Sequence, residues 1–374
     1  MITVIASFLD LHATAIVWSL ESSGAPSQLI ETFFGVDQEF GGFSVDPRAP
    51  DIDGQCAAVH LGPSFKNQRL SYFRCDYSPR VLMEEDDEDF LFVRRERALH
   101  QKWLLEVSAL EGNELLVNSP CSAIRADNKM LQLKAACAVG LSPPKTYFGS
   151  SMDRAKELFL GTDALVIKPL EPFTWHYSDG RTKCAFAARA SCHLIDGYKA
   201  GEVLSAPAIF QEEIIKAFDV RAFVFGDQVH AFKISQNTGR LDSREDLTNS
   251  KVTKIEPFDL PNNVRQRIGR LMEYMRIDVA CMDIVPDQNG EFHFLDLNPS
   301  GNWLFLESSF PESNILSKFC VYLAHRAGVT LLREPPGYAE FKESTTFEVL
   351  QKRIGTLAAQ FSVKQRTDQW VEQP

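Results

Sequence analysis

The sequence has 374 residues, 44% hydrophobic and 24% charged, the composition of an ordinary globular protein of roughly two to three domains. Its net charge of −11 excludes a general binder of nucleic acid or of anionic membranes, because such proteins need a positive surface. No segment approaches about 18 uninterrupted apolar residues, so we predict no membrane span. The eight cysteines form no CxxC pair, and free thiols in a reducing cytoplasm are the simplest interpretation.

The N-terminal segment, residues 1–10, lacks the basic start of a signal peptide, and its short apolar run predicts a buried first strand. Residues 1–120 alternate short apolar runs with helical patterns, which is typical of an α/β domain. A helix is predicted over 86–112, with acids at its start and bases later, as the helix dipole favours. We interpret the acidic run 84–89 as the solvated start of this helix rather than as a metal site.

A second unit begins near Pro120. Its predicted elements are a helix capped by Asp127 or Asn128, a strand at 164–169, a hairpin within 173–193, strands at 209–214 and 220–225, and a helix at 262–275. Residues 343–362 space apolar side chains by three and four, which predicts a helix with one apolar stripe. Such a stripe is a docking face, and it would allow a homodimer.

The most informative segment is an acidic hairpin near residue 290. Two apolar runs flank Asn289-Gly290, a dipeptide that strongly signals a two-residue hairpin turn. With that turn, Gln288 pairs with Glu291, and counting outward pairs Asp283 with Asp296. The sequence therefore predicts two carboxylates opposite each other on neighbouring strands.

Asp296 and Asn298 share one face, because side chains alternate along a strand. Directly opposed carboxylates repel, so we expect a positive group between them, and oxygen ligands on rigid strands suit a hard cation such as Mg²⁺. The alternative is a surface hairpin with scattered acids. On the cation hypothesis, replacing Asp283 by Asn would not destabilise the ligand-free protein.

No P-loop, HExxH or GxSxG signature is present, so the acidic hairpin is interpreted together with the charged residues that precede it. Lys168 ends an apolar strand, and its charge there calls for an anion. Asp219 and Arg221 lie two apart on one strand face, and an arginine beside a divalent-cation site suits phosphate oxygens. Taken singly, Lys129 could be a surface helix residue, and Asp219 and Arg221 a structural ion pair.

The linear order of these residues resembles the ATP-grasp fold, in which two subdomains clamp ATP: a helix lysine, a strand lysine, Gln-Glu-Glu-Ile, Asp-x-Arg, then Asp and Asp-x-Asn. The segments RADNKMLQLKAACAVGL, VIKP, FQEEIIKAFDVRAFVFGD and MDIVPDQNGEFHFLDLNPSGNWLFLE resemble the ATP-grasp macrocyclases of ribosomal peptides, the microviridin-type or graspetide synthetases. YFRCDYSP and FVRRERALHQKWL resemble the N-terminal domain of that family. The resemblance covers about residues 1–330.

The resemblance implies that the protein uses ATP and Mg²⁺. Lys129 and Lys168 would contact ATP phosphates, and Asp219 would hold the ribose. The adenine hinge would be formed, partly through backbone groups, by Gln211, Glu212 and Ile214.

Arg221 would stabilise the transferring phosphoryl group and the acyl phosphate, and Asp283, Asp296 and Asn298 would bind two Mg²⁺. Asp296 stands where the family usually has Glu, and its shorter side chain would loosen chelation of the second metal.

The implied architecture is an α/β protein with α+β subdomains. The implied units are an N-terminal pre-ATP-grasp domain (1–120), a central ATP-grasp subdomain (121–212), a C-terminal subdomain with the metal site (213–335) and a helical tail (336–374). In microviridin ligases a hairpin after the second lysine helps to hold the leader peptide, and the matching region here is 173–193, with a divergent sequence. The resemblance does not extend to the tail.

The resemblance implies a ligase that activates a carboxylate of a precursor peptide as an acyl phosphate, releases ADP, and closes an ester or amide ring with a second side chain. Two other hypotheses remain. One is an ATP-grasp ligase that joins an amino acid or small amine to a carboxylate of a protein or small molecule, and the other is an ATP-binding regulatory protein without turnover.

Overall fold

The computed structural model describes residues 1–6, 9–31, 42–45, 57–60, 69–74, 115–160, 164–170, 173–176, 182–185, 187–191, 197–236 and 253–367, together with six isolated positions between 92 and 103. The acidic run 84–89 lies outside these residues, as does most of the predicted helix 86–112. The six isolated positions are helical.

The described strands are β1 (Ile2–Ala6), β2 (Ser27–Glu31), β3 (Gly42–Val45), β4 (Ala57–His60), β5 (Leu70–Arg74), β6 (Leu115–Val117), β7 (Thr146–Ser151), β8 (Ala164–Lys168), β9 (Phe173–His176), β10 (Thr182–Ala185), β11 (Ala188–Ser191), β12 (Val203–Glu212), β13 (Asp219–Phe225), β14 (Gln228–Gln236), β15 (Thr253–Pro257), β16 (Val279–Pro286) and β17 (Phe292–Asn298). The described helices are α1 (Leu11–Ser22), α2 (Pro120–Asp127), α3 (Lys129–Ala138), α4 (Met152–Phe159), α5 (Asn262–Met275), α6 (Leu304–Ser309), α7 (Ile315–Arg326), α8 (Tyr338–Lys342) and α9 (Thr345–Thr367).

The N-terminal unit is built on a parallel sheet with strand order β2-β1-β5-β6. β1 is buried along its whole length, as its continuous apolar sequence predicts for a strand covered on both faces. The Asp10 side chain accepts a hydrogen bond from the backbone N–H of Ala13 at 2.8 Å and so caps α1. All four strands run the same way, so their carboxyl ends meet at one edge.

Two antiparallel sheets form the rest of the scaffold. The central sheet has the order β11-β8-β12-β7, and the C-terminal sheet has the order β15-β14-β13-β16-β17. β9 and β10 form a separate antiparallel hairpin, which confirms the hairpin predicted within 173–193, although its turn lies outside the described residues. The helices expected after Asn128 and at 262–275 are present as α3 and α5.

The C-terminal sheet is covered on both faces, so its central strand β13 is apolar on both sides. Val220, Ala222 and Val224 pack toward α5 and α3. Phe223 and Phe225 point the other way, into a core shared with the N-terminal sheet. This shared core fixes the N-terminal sheet against the back of the C-terminal sheet.

The segment 336–374, predicted as a separate tail, begins inside that shared core. Phe341 of α8 is fully buried there, and the Ser19 hydroxyl donates to the backbone carbonyl of Pro336 at 2.7 Å. Of the predicted apolar stripe, Phe347 packs against the core and Leu350 is 3% exposed, whereas Ile354 is 36% exposed. The stripe therefore docks partly within the chain, and the homodimer and the domain boundaries stay predictions.

No helix in the described part of the chain is both long and apolar enough to cross a bilayer. Of the cysteines whose side chains the structure describes, four are free thiols: Cys121, Cys137, Cys281 and Cys320.

We predict that His230 makes the fold acid-sensitive. Burial, followed by the charges of Lys318 and Arg265, lowers the pKa of His230 from 6.5 to about 4. The unfolded chain therefore binds a proton before the folded one does, and stability that is present above pH 6.5 is lost as the pH falls toward 4. His230→Phe should reduce the drop in melting temperature between pH 7 and pH 5, because the ring stacks on Phe225 and its packing is kept. An unchanged pH dependence in this variant would contradict the assignment.

Candidate functional site

Three charged residues lie side by side on the C-terminal sheet, from its central strand β13 to its edge strand β17. Arg221 of β13 is the register partner of Asp283 on β16, and Asp283 is the register partner of Asp296 on β17. The predicted pairing of the two aspartates is therefore confirmed. Neighbouring residues in register point to the same face, so the three side chains form one charged row.

The turn that leads to this pairing differs from the prediction. Asp287 pairs through its N–H with the carbonyl of Glu291, which leaves Gln288, Asn289 and Gly290 as the loop and makes the predicted Gln288–Glu291 pair wrong. An irregularity after Asp283, where Ile284 pairs with Phe294, leaves Leu295 as an extra residue on β17. The longer loop and the bulge each shift the register by one residue, and the two shifts cancel at Asp283.

Each opposed carboxylate has its own side-chain cation. The Arg221 Nη1 donates to Asp283 Oδ1 at 2.7 Å, and the Lys129 Nζ donates to Asp296 Oδ1 at 2.7 Å. Lys129 is the first residue of α3, where the Asn128 side chain caps the helix. The positive charge expected between the aspartates is thus supplied in this structure by Arg221 and Lys129.

Arg221 is held in a fixed orientation. Its side chain is 17% exposed, and Nη2 donates to the backbone carbonyl of Asn302 at 3.3 Å. Burial alone would lower the pKa of Arg221, but the Asp283 carboxylate holds it above its usual range. Within the described part of the chain the buried Nε has no hydrogen-bond partner.

The residues proposed for metal binding fit a hard cation by their chemistry. In both ion pairs the protein cation contacts Oδ1, so Oδ2 of Asp283 and of Asp296 remains for a further partner. Asn298 is exposed on the same strand as Asp296, and its Oδ1 accepts from the Ser300 N–H at 2.8 Å. Among the described residues no three His, Cys, Asp or Glu side chains converge, so a metal here would need substrate phosphate or water oxygens as well.

Lys168 lies on the neighbouring central sheet, at the end of β8. Its Nζ donates to Gln211 Oε1 at 2.9 Å, and the Gln211 amide donates onward to the Thr146 hydroxyl at 2.9 Å. Gln211 is 5% exposed. Its side chain therefore links Lys168 to the sheet, a contact that the proposed adenine-hinge role does not include.

The proposed ribose residue Asp219 forms a close ion pair in this structure. The Lys216 Nζ contacts both its carboxylate oxygens, at 2.7 and 2.8 Å. Sequence reasoning missed Lys216, although it precedes Asp219 by only three residues. A ligand that uses Asp219 therefore meets a carboxylate whose charge is already matched.

Glu212 and Ile214 lie where the chain leaves the central sheet for the C-terminal sheet. The Glu212 N–H donates to the carbonyl of Lys145 at 2.9 Å, so that donor is already used. Both residues line a cavity of about 380 Å³ between this crossing and the β16–β17 loop. The Asp219 and Lys168 side chains do not line this cavity.

Solved structures share this architecture over nearly their whole length. An ATP-grasp ligase associated with ribosomal peptides (RiPPs) from Chryseobacterium gregarium, in complex with ADP and a leader and core peptide, has a TM-score of 0.70 at 20% identity, over 90% of this chain and 99% of that chain. The macrocyclase MdnC from Microcystis aeruginosa, bound with the precursor peptide MdnA, has a TM-score of 0.68 at 18% identity, over 86% of this chain and 99% of that chain. The ligase PsnB, complexed with a minimal precursor, Mg and ADP, has a TM-score of 0.64 at 19% identity, over 87% of this chain and 97% of that chain.

The chain therefore has the ATP-grasp fold. Its arrangement is similar to that of the ligases and macrocyclases of RiPPs, as the sequence resemblance implied. No protein-family model matches the sequence, and a search of curated proteins finds no match either.

We predict that Asp283→Asn lowers the melting temperature of the ligand-free protein, contrary to the expectation from the sequence alone. The substitution removes the carboxylate that neutralises Arg221, whereas the repulsion it relieves is already compensated. Asp283 is 42% exposed, so we expect a loss of about 1–3 kcal/mol, less than the ~3–5 for a fully buried pair.

Asp296→Asn is the matched control for that measurement. Its ion pair with Lys129 is about one-third exposed on both sides, and we expect a cost below about 1 kcal/mol. Thermal unfolding of both variants without ligand decides between the two accounts, and a melting temperature of Asp283→Asn at or above that of the wild type would restore the repulsion hypothesis.

Proposed function

We propose that this protein is an ATP-dependent, ADP-forming ligase that closes ester or amide rings in a ribosomal precursor peptide bearing a leader. The observation that carries the proposal is the charged row Arg221–Asp283–Asp296, with Lys129 paired to Asp296, in a chain with the ATP-grasp fold. That row combines metal-binding carboxylates with donors suited to phosphate oxygens. The peptide partner is inferred from the neighbours, which were solved with precursor peptides.

The nucleotide would be held mainly by positive side chains. Lys129 and Lys168 would donate to phosphate oxygens, and Asp219 would accept from the ribose. Glu212 and Ile214 would contact the adenine where the chain crosses from the central to the C-terminal sheet. Gln211 would orient Lys168. When the nucleotide binds, Lys129 and Lys216 would give up their present partners, the Asp296 and Asp219 carboxylates, for acceptor atoms of the ligand.

Asp283, Asp296 and Asn298 would hold Mg²⁺, which when bound supplies charge neutralisation for the phosphate oxygens. Arg221 would donate to the transferring phosphoryl group through guanidinium N–H groups other than those that bond Asp283 and Asn302. Because these two contacts fix the guanidinium, it needs no reorganisation during the reaction.

The proposed reaction has two steps. A peptide carboxylate oxygen attacks the γ-phosphorus of ATP, the bond to the ADP oxygen breaks, and an acyl phosphate forms. A hydroxyl or amine of the same peptide then attacks the acyl carbon, inorganic phosphate leaves, and the nucleophile loses its proton to solvent. Positioning of the two reacting groups supplies most of the acceleration.

We predict that the protein, incubated with ATP, Mg²⁺ and a candidate precursor peptide encoded beside its gene, removes one water, about 18 Da, from the peptide for each ADP released, as condensation through an acyl phosphate requires. Mass spectrometry of the peptide and chromatography of the nucleotide test this together. A peptide that gains the mass of an amino acid would favour the amino-acid ligase instead, and AMP with pyrophosphate would refute the mechanism.

We predict different kinetic effects for the two phosphate-side cations. Arg221→Lys should lower kcat by about 10- to 100-fold with little change in nucleotide affinity, because its donor acts on charge that develops during transfer. Lys168→Ala should instead weaken ADP binding by about 10- to 100-fold, the loss of one charged hydrogen bond. Calorimetric titration and steady-state rates measure both, with the exposed Lys254→Ala as control. Equal ADP affinity in Lys168→Ala and wild type would contradict the assignment.

A further inference from the structure

The loop that follows β17, residues 299–304, is held by side chains of the N-terminal unit. His12 Nε2 accepts hydrogen bonds from the N–H groups of Trp303 and Leu304 at 2.9 and 3.1 Å. The Asn118 amide donates to the carbonyl of Pro299 at 3.4 Å. Because the loop begins directly after Asn298, these contacts fix the end of the strand that carries two of the proposed metal ligands.

Arg74 makes the most extensive of these contacts. It ends β5, is 4% exposed, and is oriented by Asp10, whose two carboxylate oxygens accept from Nε at 3.3 and 3.2 Å. Its Nη1 donates to the carbonyl of Gly301 at 3.3 Å, and its Nη2 donates to Asn302 Oδ1 at 3.3 Å. All three guanidinium nitrogens therefore have a partner within the protein, and the buried side chain offers almost no surface to a substrate.

The same loop positions Arg221 from the other side. The carbonyl of Asn302 accepts from Arg221 Nη2 at 3.3 Å and lies 3.6 Å from Cys281 Sγ. A Cβ on Gly301 would lie 2.5 Å from the Cys281 Cβ and 3.1 Å from the Arg221 Nη2, so only glycine permits this approach. A continuous set of contacts therefore runs from Asp10 through Arg74 and Asn302 to Arg221.

The topology explains why this contact falls where it does. Asp10, Arg74 and Asn118 follow or end the parallel strands β1, β5 and β6, so they meet at the carboxyl edge of the N-terminal sheet. In open α/β sheets that edge is where ligands bind. Here the 299–304 loop of the C-terminal sheet occupies part of it.

We propose that Arg74 is a positioning residue for Arg221: the N-terminal unit sets the geometry of the phosphoryl-transfer site through Arg74 and the 301–302 loop. The inference rests on the proposed function for its catalytic consequence. Its structural content, the coupling of Arg74 to Arg221, does not depend on any ligand.

The test is a double-mutant cycle with Arg74→Lys and Arg221→Lys, read as steady-state ADP release with ATP, Mg²⁺ and the precursor peptide. Arg74→Lys should lower kcat about tenfold or more while the KM for ATP stays within about twofold, because the arginine fork is lost and the nucleotide contacts remain. The double variant should be no slower than Arg221→Lys alone, because Arg74 acts only through Arg221.

Asn302→Ala provides a second variant, because it removes the Oδ1 acceptor of Arg74 at an exposed position and leaves the backbone carbonyl to Arg221. Its kcat should fall by about three- to tenfold, a partial version of the Arg74→Lys effect. Arg69→Lys is the matched control. Arg69 also joins the N-terminal unit to the C-terminal part of the chain, but it does so by donating to the carbonyl of Gly328 at 3.1 Å, outside the 299–304 loop. Its kcat should equal that of the wild type.

Thermal unfolding of the same cycle without nucleotide or peptide separates this inference from the proposed function. If the wild type releases no ADP with peptide, the proposed function fails, and the melting temperatures still decide whether the two arginines are coupled. Losses in the double variant smaller than the sum of the single losses support the inference. Additive melting temperatures, a kcat of Arg74→Lys equal to that of the wild type, or rate effects that multiply in the double variant would each overturn it.

Discussion

The constraint on which the site depends is the placement of two carboxylates opposite each other on neighbouring strands. Asp283 and Asp296 would repel in any isolated hairpin, and the fold answers with one cation from the adjacent strand and one from a helix. That requirement ties α3, β13, β16 and β17 into one electrostatic unit. The two cations and two carboxylates together carry no net charge, so a metal and a nucleotide that bind here would replace existing ion-pair contacts.

Much of this site could be predicted because its signals are local. The two apolar runs that flank Asn289-Gly290 predict the hairpin, and one acid on each strand predicts the facing pair. The details of the turn could not be predicted from the same signal: Gly290, with φ of +83°, closes a longer loop, and the bulge at Leu295 restores the register. Counting residues outward from the turn predicts the same Asp283–Asp296 pair whether or not two compensating shifts lie between the turn and that pair.

Apart from the Lys216–Asp219 pair, the contacts that sequence reasoning missed are those made between distant residues. Arg74 meets Gly301 across 227 positions of the chain, and Lys129 meets Asp296 across 167. Lys129 was found because it begins a capped helix within a recognised order of motifs. Arg74 ends a short strand in a segment that is matched only to the N-terminal domain of the family and has no predicted chemical role, so only the packing of the parallel sheet against the C-terminal loop reveals its position.

The shared core also has a consequence for how the chain folds as it is made. The apolar face of the N-terminal sheet and α1 is covered by Leu316, Phe319 and Phe341, which are synthesised some three hundred residues after the first strand. While the ribosome translates the intervening sheets, these three side chains are not yet available to cover that face, which leaves it open to water and to other chains. The core behind Phe223, on the strand that carries Arg221, is therefore complete only once α7 and α8 have docked.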